Sequence, residues 1–409
     1  MTYIRKPKLR GWGNGFMKAI ARYYNDKPLH ALALQVVKFK QRDGVSQRDV
    51  YDLAHPARWS KPCPVRRAIF DFIVDGRLPE GELAKHPALD LLLAYGEVNA
   101  EGATAADAAR LITERGLPME SVPTQLRTAE VYEAVLNGVL ARGKGNTLTW
   151  LVRNLGNLGS QGLLCDARPD IIRAVCDTLT DEAALKEARV HPLAILKALL
   201  TYRQGHGDKG RGQWPVIARV VDALDRGYYA SFRYAEPSGK RIMLGVDVSG
   251  SMWGQRASAM PQLSTHEAAA AMALVIANSE PNWSLVIFDT VARPCEISPR
   301  QRMDDVVRTM TEKRGGATDL ASPIAYARKH RIPVDAFVML TDYETWAGEK
   351  HSHEELDLYR AEMGIPAKVV NVAMAPNSYT TGSPADPLAL EVVGFDASVP
   401  EVISAFLAR

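Results

Sequence analysis

The stretch Arg241-Ile-Met-Leu-Gly-Val-Asp-Val-Ser-Gly-Ser-Met252 decides the fold of the second half of the chain. It opens with a nearly continuous apolar run, which is typical of a parallel strand buried on both faces of its sheet. Gly250 allows a sharp turn where that run stops. The segment therefore predicts a buried strand that leads directly into an Asp-x-Ser-x-Ser turn.

The turn offers three oxygen ligands, from Asp247, Ser249 and Ser251. Alternate residues of an extended segment point the same way, so one carboxylate and two hydroxyls would converge. Such a hard-oxygen set suits Mg²⁺ or Mn²⁺, which favour octahedral oxygen coordination. Three ligands do not complete an octahedron, so more oxygens must come from elsewhere. The alternative interpretation is a capped turn, because Ser and Asp often cap helices.

Two later segments have the right character to complete such a site. Gly315-Gly-Ala-Thr-Asp319 is a glycine-led loop before a helical stretch, and Val334–Asp342 is an apolar strand with an acid at its carboxyl end. Together with the Asp-x-Ser-x-Ser turn, they resemble the von Willebrand factor A domain and its metal-ion-dependent adhesion site. The resemblance implies one divalent ion, Mg²⁺ or Mn²⁺. Its ligands would be Asp247, Ser249, Ser251, Thr318 and Asp342.

The composition is that of an ordinary globular protein. The 409 residues are 46% hydrophobic and 24% charged, and this length suits two or three domains. No apolar run of about 18 residues occurs and the N-terminal charges precede no apolar core, so we expect neither a membrane span nor a secretion signal. The four cysteines form no Cys-x-x-Cys pair. We therefore expect reduced thiols in a cytoplasmic protein.

The charge is distributed unevenly along the chain. The net charge of +3 divides into +8 for residues 1–239 and −5 for residues 240–409. Residues 1–70 alone carry 15 basic and 4 acidic side chains, a net +11. A basic block of this kind indicates a polyanionic partner such as RNA. The alternative interpretation is a solvated basic face without a partner.

The pattern of apolar residues changes near residue 240, which divides the chain into two predicted domains, 1–239 and 240–409. Residues 64–230 read as helix after helix of about 12 to 18 residues, which suggests a superhelical stack. From Lys240 onward strands alternate with helices, which predicts a doubly wound sheet with ligands at the carboxyl edge of its strands. The expected strands after the first are 284–288, 334–340 and 368–373, and the expected helices are 267–277, 322–330 and 354–363.

Short sequence motifs along nearly the whole chain resemble those of the Ro RNA-binding protein family. They are Gly11-Trp-Gly13, Gln35–Gly44, Asp52–His55, Leu151–Gly156, His191–Leu196, Thr201–Gly207, Glu236–Arg241, Gly315–Asp319, Thr341–Gly348 and Ile365–Lys368. The resemblance implies an all-α stack of HEAT-like repeats, a TROVE-type module, that forms a ring closed by a von Willebrand A domain. In the family, that module normally begins well before its Gly-Trp-Gly motif, whereas here the motif lies at residues 11–13. The stack would therefore close a smaller ring, stay open as a crescent, or be completed by a second copy.

The same resemblance implies binding without catalysis. Ro proteins bind small structured Y RNAs outside the ring and take single-stranded ends of misfolded RNA into its hole. The implied role is RNA quality control or a ribonucleoprotein scaffold, with an exoribonuclease as a partner in bacterial relatives. An acidic protein ligand at the metal site is a further implied partner. A metal-dependent protein-interaction module without RNA binding is the alternative.

The candidate RNA contacts lie mostly in the basic first third. By the resemblance, Lys38, Arg42 and His55 fall on the family's RNA-binding positions. The four-residue spacing of Lys38 and Arg42 predicts one helical turn between two cations that bracket successive phosphates. A packed or capping role is the alternative for His55. The further candidates are Lys18 and Arg22, at the same spacing, and Lys209 and Arg211, in a glycine-rich loop that could equally be a solvated linker.

An enzyme would need a catalytic motif, and the sequence contains none of the common ones. It has no Gly-x-x-x-x-Gly-Lys-Ser/Thr loop, no His-Glu-x-x-His and no Gly-x-Ser-x-Gly elbow. A metal-dependent nuclease is the remaining enzymatic alternative, since Mg²⁺ beside RNA could activate water. We expect a binding protein and no enzyme.

Overall fold

A computed structural model describes residues 13–39, 41–42, 44–142, 146–208, 212–234, 237–312, 315–342, 347–348, 350–375, 386–396 and 398–408. The chain forms two compact units. The first is the described part of Met1–Arg142 with Gln161–Leu163, and the second is that of Gly143–Ser160 with Leu164–Arg409. Helices give way to a sheet close to the boundary predicted at residues 239 and 240. The functional division there stays a prediction.

The first unit is helical, with a core of interlocked aliphatic side chains such as Leu32, Ile69, Leu92 and Leu111, all fully buried. Its elements are α1 (Asn14–Asp26), α2 (Leu29–Lys38), β1 (Gln41–Arg42), β2 (Val45–Ser46), α3 (Gln47–Ala54), α4 (Pro64–Asp75), α5 (Gly81–Ala84), α6 (Asp90–Val98), α7 (Ala105–Arg115) and α8 (Ala129–Arg142). Single turns of 3₁₀ helix occur at Pro56–Trp59, Pro87–Leu89, Met119–Ser121 and Thr124–Leu126.

Local capping chemistry positions α3. The Ser46 hydroxyl accepts a hydrogen bond from the Asp49 amide at 3.1 Å, and the Asp49 carboxylate accepts one from the Ser46 amide at 2.8 Å. This reciprocal pair satisfies two amides that a helix start leaves open. The helix ends where His55 adopts a left-handed backbone with φ of 47°. The sequence predicts a helix that starts at Ser46–Asp49 with a capping residue and ends near Ala54–Pro56, and both ends are confirmed.

The second unit joins five helices to the sheet region. Its helical part comprises α9 (Asn146–Ser160), α10 (Pro169–Thr180), α11 (Glu182–Ala188), α12 (Pro192–Arg203) and α13 (Ala218–Ser231). The sheet region comprises β3 (Ile242–Asp247), β4 (Arg256–Ala257), β5 (Met260–Ser264), α14 (Thr265–Ser279), β6 (Trp283–Phe288), β7 (Ala292–Pro294), α15 (Met303–Thr311), α16 (Ser322–Lys329), β8 (Ala336–Thr341), α17 (Ser352–Met363), β9 (Lys368–Ala373), β10 (Ala389–Val393) and α18 (Val399–Leu407).

Six of the described strands form one sheet in the order β10-β9-β8-β3-β6-β7. Two further two-stranded sheets are separate from it, β1-β2 in the first unit and β4-β5 in the second. All pairings in the large sheet are parallel except β6 with β7. Every residue of β3 is buried, as the apolar run predicted. Gly245 is required there, because a Cβ atom would lie 2.5 Å from the sulfur of Met339. The predicted doubly wound α/β domain after a helical region is confirmed.

Two composition-based expectations can be compared with the structure. No helix in the described ranges is long and apolar enough to span a bilayer. All four cysteines are free thiols. The helices described between residues 64 and 230 have between 4 and 15 residues; six of the ten reach the expected 12 to 18, and four are shorter.

Candidate metal centre and nucleic-acid interface

Asp247, Ser249 and Ser251 converge at the carboxyl end of β3. The Ser249 amide donates to Oδ1 of Asp247 at 2.8 Å, and the hydroxyl oxygens of Ser249 and Ser251 lie 3.1 Å apart. Asp247 and Ser249 are buried, whereas Ser251 is partly exposed. The turn thus presents one carboxylate and two hydroxyls together, as the sequence predicted.

Asp342 belongs to the same strand edge, one residue beyond β8. It is fully buried, and its negative charge acts on the pKa of Asp247. Its neighbour Thr341 donates a hydroxyl hydrogen bond to Oδ2 of Asp247 at 2.7 Å. Gln255 donates its side-chain amide to Oδ2 of Asp342 at 3.1 Å. Sequence reasoning missed Thr341 and Gln255, although Thr341 could have been noticed because it directly precedes a predicted ligand.

The glycine-led loop, which precedes α16, reaches the same edge. The Gly315 amide donates to the Val248 carbonyl at 3.3 Å, which places the start of the loop beside the Asp-x-Ser-x-Ser turn. The Asp319 amide donates to the Asp289 carbonyl at 2.8 Å, at the end of β6. Thr318 lies between these two anchors and is buried. The structure therefore places the loop with the other four predicted ligands at one edge of the sheet.

The electrostatics of Asp247 fit a cation. Burial raises the pKa of Asp247 to about 6, and the charge of Asp342 adds to the rise, while hydrogen bonds from Ser249 and Thr341 oppose it. Within the described residues no Lys or Arg forms an ion pair with Asp247. A buried carboxylate is costly without a compensating charge. An oxygen-preferring divalent ion would supply that charge, so the donor set fits Mg²⁺ or Mn²⁺.

Asp289, at the end of neighbouring strand β6, has a different environment. Its carboxylate accepts a hydrogen bond from the Arg293 guanidinium at 2.7 Å. Although burial alone would raise the pKa of Asp289, this contact and backbone hydrogen bonds lower it overall. A carboxylate that already has a cationic partner is a weaker candidate for binding a metal ion. Asp289 is therefore a weaker candidate ligand than Asp247.

Lys18 and Arg22 lie on the exposed side of α1, one turn apart, as predicted. The three- and four-residue steps of Phe16, Ala19, Ile20 and Tyr23 predict an apolar face on this helix, and that prediction is wrong in part because only Ile20 of the four is buried. Phe16 and Tyr23 are 42% and 54% exposed, and the buried residues are instead Ile20, Ala21 and Tyr24.

Lys38 and Arg42 are not separated by a helical turn, so that prediction is wrong. Helix α2 ends at Lys38, and Arg42 lies in strand β1, where it pairs with Val45. Gly44, with φ of 76°, allows the tight turn between β1 and β2. The Lys38 ammonium lies 3.7 Å from the Glu120 carboxylate and 5.4 Å from the centre of the Phe39 ring. Both side chains of this ion pair are partly exposed, so the contact is weak enough for a phosphate to replace.

His55 is exposed at the junction of α3 and the following 3₁₀ turn. Its left-handed backbone lets its own amide donate to Tyr51 and its carbonyl accept from Arg58. The ring itself is not packed in the core. Lys209 and Arg211 lie outside the described residues. Contact of these side chains with RNA stays a prediction.

Side chains typical of other metal or catalytic sites do not assemble in the described ranges. No group of three His, Cys, Asp or Glu residues there could hold a metal ion. His351 and His353 stack on each other, with ring centres 5.5 Å apart, at the start of α17. The candidate metal centre differs because hydroxyls supply part of its donor set.

Comparison with known proteins gives concordant results for the whole chain. A family model described as the Ro60 vWA domain matches residues 241–407. The RNA-binding protein RO60 of Deinococcus radiodurans is 40% identical over 97% of this chain and 72% of its own length. The RNA-binding protein RO60 of Caenorhabditis elegans is 32% identical over 97% of this chain and 66% of its own length. The crystal structure of the Deinococcus radiodurans RO (RSR) protein superposes with a TM-score of 0.80 at 39% identity, over 98% of this chain and 78% of that one. This chain therefore belongs to the Ro family of RNA-binding proteins.

Proposed function

We propose that this chain is a non-catalytic RNA-binding protein of Ro type that works in the cytoplasm. It binds small structured, Y-like RNA and takes up single-stranded ends of misfolded RNA, as part of RNA quality control or as a ribonucleoprotein scaffold. The observation that carries the proposal is the 40% identity, over 97% of the chain, to a relative named RNA-binding protein RO60.

The charges of the first unit support the proposal. Residues 1–70 carry a net +11, and Lys18 and Arg22 are exposed on one side of α1. Cations at this spacing can neutralise neighbouring phosphates and release counterions, which makes binding depend strongly on salt. Lys38 and Arg42 are the proposed central contacts. Because Arg42 sits on a hairpin, this pair presents cations from two elements, and His55 would add a hydrogen-bonding ring.

The second site is the proposed metal centre, where Asp247, Ser249, Ser251, Thr318 and Asp342 would hold one Mg²⁺ or Mn²⁺. The ion would offset the charge of the two buried carboxylates and could accept a partner's carboxylate as a further ligand. Trp253, two residues beyond Ser251, is 41% exposed. An exposed Trp beside such a site favours a protein partner with an acidic residue, such as an exoribonuclease, alongside RNA binding.

A salt titration of RNA binding tests the proposal. The matched variants are Lys38→Ala/Arg42→Ala and Lys18→Ala/Arg22→Ala. The control Arg233→Ala removes an exposed arginine of the second unit that pairs with Glu182 at 3.3 Å. If each cation neutralises one phosphate, each double variant should flatten the slope of log affinity against log salt by roughly 1.5. Wild-type affinity and slope in both double variants would contradict the proposed interface.

The same RNA, recovered after incubation with Mg²⁺, distinguishes the functional classes. A binding protein leaves its length unchanged, whereas a metal-dependent nuclease shortens it. A protein-interaction module would show no RNA binding at any salt concentration.

A further inference from the structure

Three aromatic side chains are exposed on the first two helices of the first unit. Phe16 and Tyr23 lie on α1 at 42% and 54% exposure, and Phe39, directly after α2, is 43% exposed. We call these three residues the aromatic face. Large apolar side chains exposed close together usually mark a binding surface.

A side-chain hydrogen bond connects α1 to α2 beside Tyr23. The Tyr23 hydroxyl donates to the Gln35 side-chain oxygen at 2.9 Å. Phe39 follows one turn after Gln35, and its amide donates to the Gln35 carbonyl at 2.9 Å. Tyr23 therefore contacts the Gln35 side chain from α1, and Phe39 lies one helical turn beyond Gln35 at the end of α2.

Cations accompany the aromatic rings. The Lys27 ammonium lies 4.3 Å from the centre of the Tyr23 ring and donates to the Tyr23 hydroxyl at 2.7 Å. The Lys38 ammonium lies 5.4 Å from the centre of the Phe39 ring. Aromatic rings beside cations suit a ligand that has both flat apolar faces and negative charge. A purely apolar protein partner would not use the cations.

We propose that the aromatic face binds unpaired nucleotides by stacking their bases on Tyr23 and Phe39, while Lys27 and Lys38 contact their phosphates. This inference rests on the proposed RNA binding and names the part of an RNA that this surface takes. A duplex buries its base faces in its own stack, so only single-stranded segments can use these rings.

The spacing of the rings fits a short segment. Phe16 and Tyr23 are seven residues apart, which is roughly 10 Å along a helix. About three stacked nucleotides span the same length, at roughly 3.4 Å each. Phe16 would thus border the far end of a segment of three or four nucleotides that begins on Tyr23.

The experiment compares a short oligouridylate with an RNA duplex of equal length, at one salt concentration, by fluorescence anisotropy on the full chain. Tyr23→Ala and Phe39→Ala should each weaken binding of the oligouridylate by roughly 5- to 100-fold, the usual range for loss of one stacked base. Duplex binding should stay at the wild-type value. Leu53→Ala is the matched control, because Leu53 is 41% exposed on α3 and has no ring.

Conservative variants separate stacking from folding. Tyr23→Phe keeps the ring but loses the hydroxyl contact with Gln35, and Phe39→Trp enlarges the stacking surface, so both should keep or increase affinity for the oligouridylate. If wild type and both alanine variants bind the oligouridylate equally, the inference is overturned, whereas binding of the duplex would still support the proposed RNA binding. An equal loss for both RNAs would also overturn it, since a duplex cannot stack here. A wild-type protein that binds neither RNA would refute the proposed function as well.

Discussion

Asp247 is a carboxylate in a place that does not favour its charge. It is fully buried at the end of the central strand, and a second buried carboxylate, Asp342, lies close enough to raise its pKa. Two neutral donors, the Ser249 amide and the Thr341 hydroxyl, already stabilise its ionised form. Clustered like charges with perturbed pKa values are more frequent at functional sites than in ordinary cores.

Replacing Asp247 by Asn should therefore abolish tight Mn²⁺ binding, because the remaining donors of the turn are neutral. Titration calorimetry with Mn²⁺ measures this directly. The control Asp289→Asn changes a carboxylate on the adjacent strand that pairs with Arg293, so it should leave Mn²⁺ affinity unchanged. Wild-type affinity in a folded Asp247→Asn protein would refute the ligand assignment.

Gln255 offers a subtler test at the same scale. Its amide holds one oxygen of Asp342, and residues that orient a metal ligand typically contribute 10- to 100-fold to metal affinity. Gln255→Ala should weaken Mn²⁺ binding by roughly 10-fold. Gln262→Ala is the control, because Gln262 lies on the β4-β5 hairpin that directly follows Gln255 and its side chain instead contacts Asp208 at 2.5 Å. An equal effect of both substitutions would show a general loss of hairpin order.

At the scale of single elements, the start of α12 depends on a histidine. The Leu193 amide donates to Nδ1 of His191 at 3.1 Å, so the neutral ring serves as the N-terminal cap. Burial lowers the pKa of His191 to about 4. Protonation would remove the acceptor and place a charge at the positive end of a helix dipole.

Stability should consequently fall on acidification. An unfolded histidine titrates near 6.5 and the folded one near 4, so the unfolded state binds the proton first as the pH drops. Between pH 7.5 and pH 5 this residue should cost about 2 kcal/mol of the free energy of unfolding. His191→Asn keeps a capping acceptor that does not titrate. Urea unfolding at both pH values should show a smaller decrease for the variant, and an identical decrease would contradict the assignment.

Sequence patterns were most informative where an element's signal is local. The predicted helix 267–277 corresponds to α14, and the predicted strand 368–373 coincides with β9, because each has its own periodicity and boundary residues. The β1-β2 hairpin was missed, although Asp43-Gly44 is a frequent hairpin turn, since the preceding apolar pattern of α2 suggested a longer helix. Strand β10 was missed too, because its five residues are only partly buried or exposed and lack the strong apolar run of β3.

At the scale of the whole molecule, tertiary contacts limit what a sequence can reveal. The hydrogen bond from Thr341 to Asp247 joins residues 94 positions apart, and that from Gln255 to Asp342 joins residues 87 apart. The convergence of the five candidate ligands at one sheet edge was predictable through a known arrangement of motifs, whereas these two supporting contacts are not encoded in any local pattern. The exposed aromatic rings of α1 were misassigned for the same reason, because a helix's apolar stripe does not reveal which part is covered.

Helix α13 has a consequence for how this molecule can be dissected. Arg302, just before α15, contacts both Asp225 at 2.7 Å and the Tyr229 ring, 4.2 Å from its centre, and the Met303 amide donates to the Tyr229 hydroxyl at 3.0 Å. A fragment that starts at Lys240 would lose all three contacts and expose the surface that Asp225 and Tyr229 cover. A fragment 146–409 retains them. We expect fragment 146–409 to resist proteolysis for longer than the fragment that starts at Lys240. The smallest fragment that folds stably would then be larger than the A domain itself.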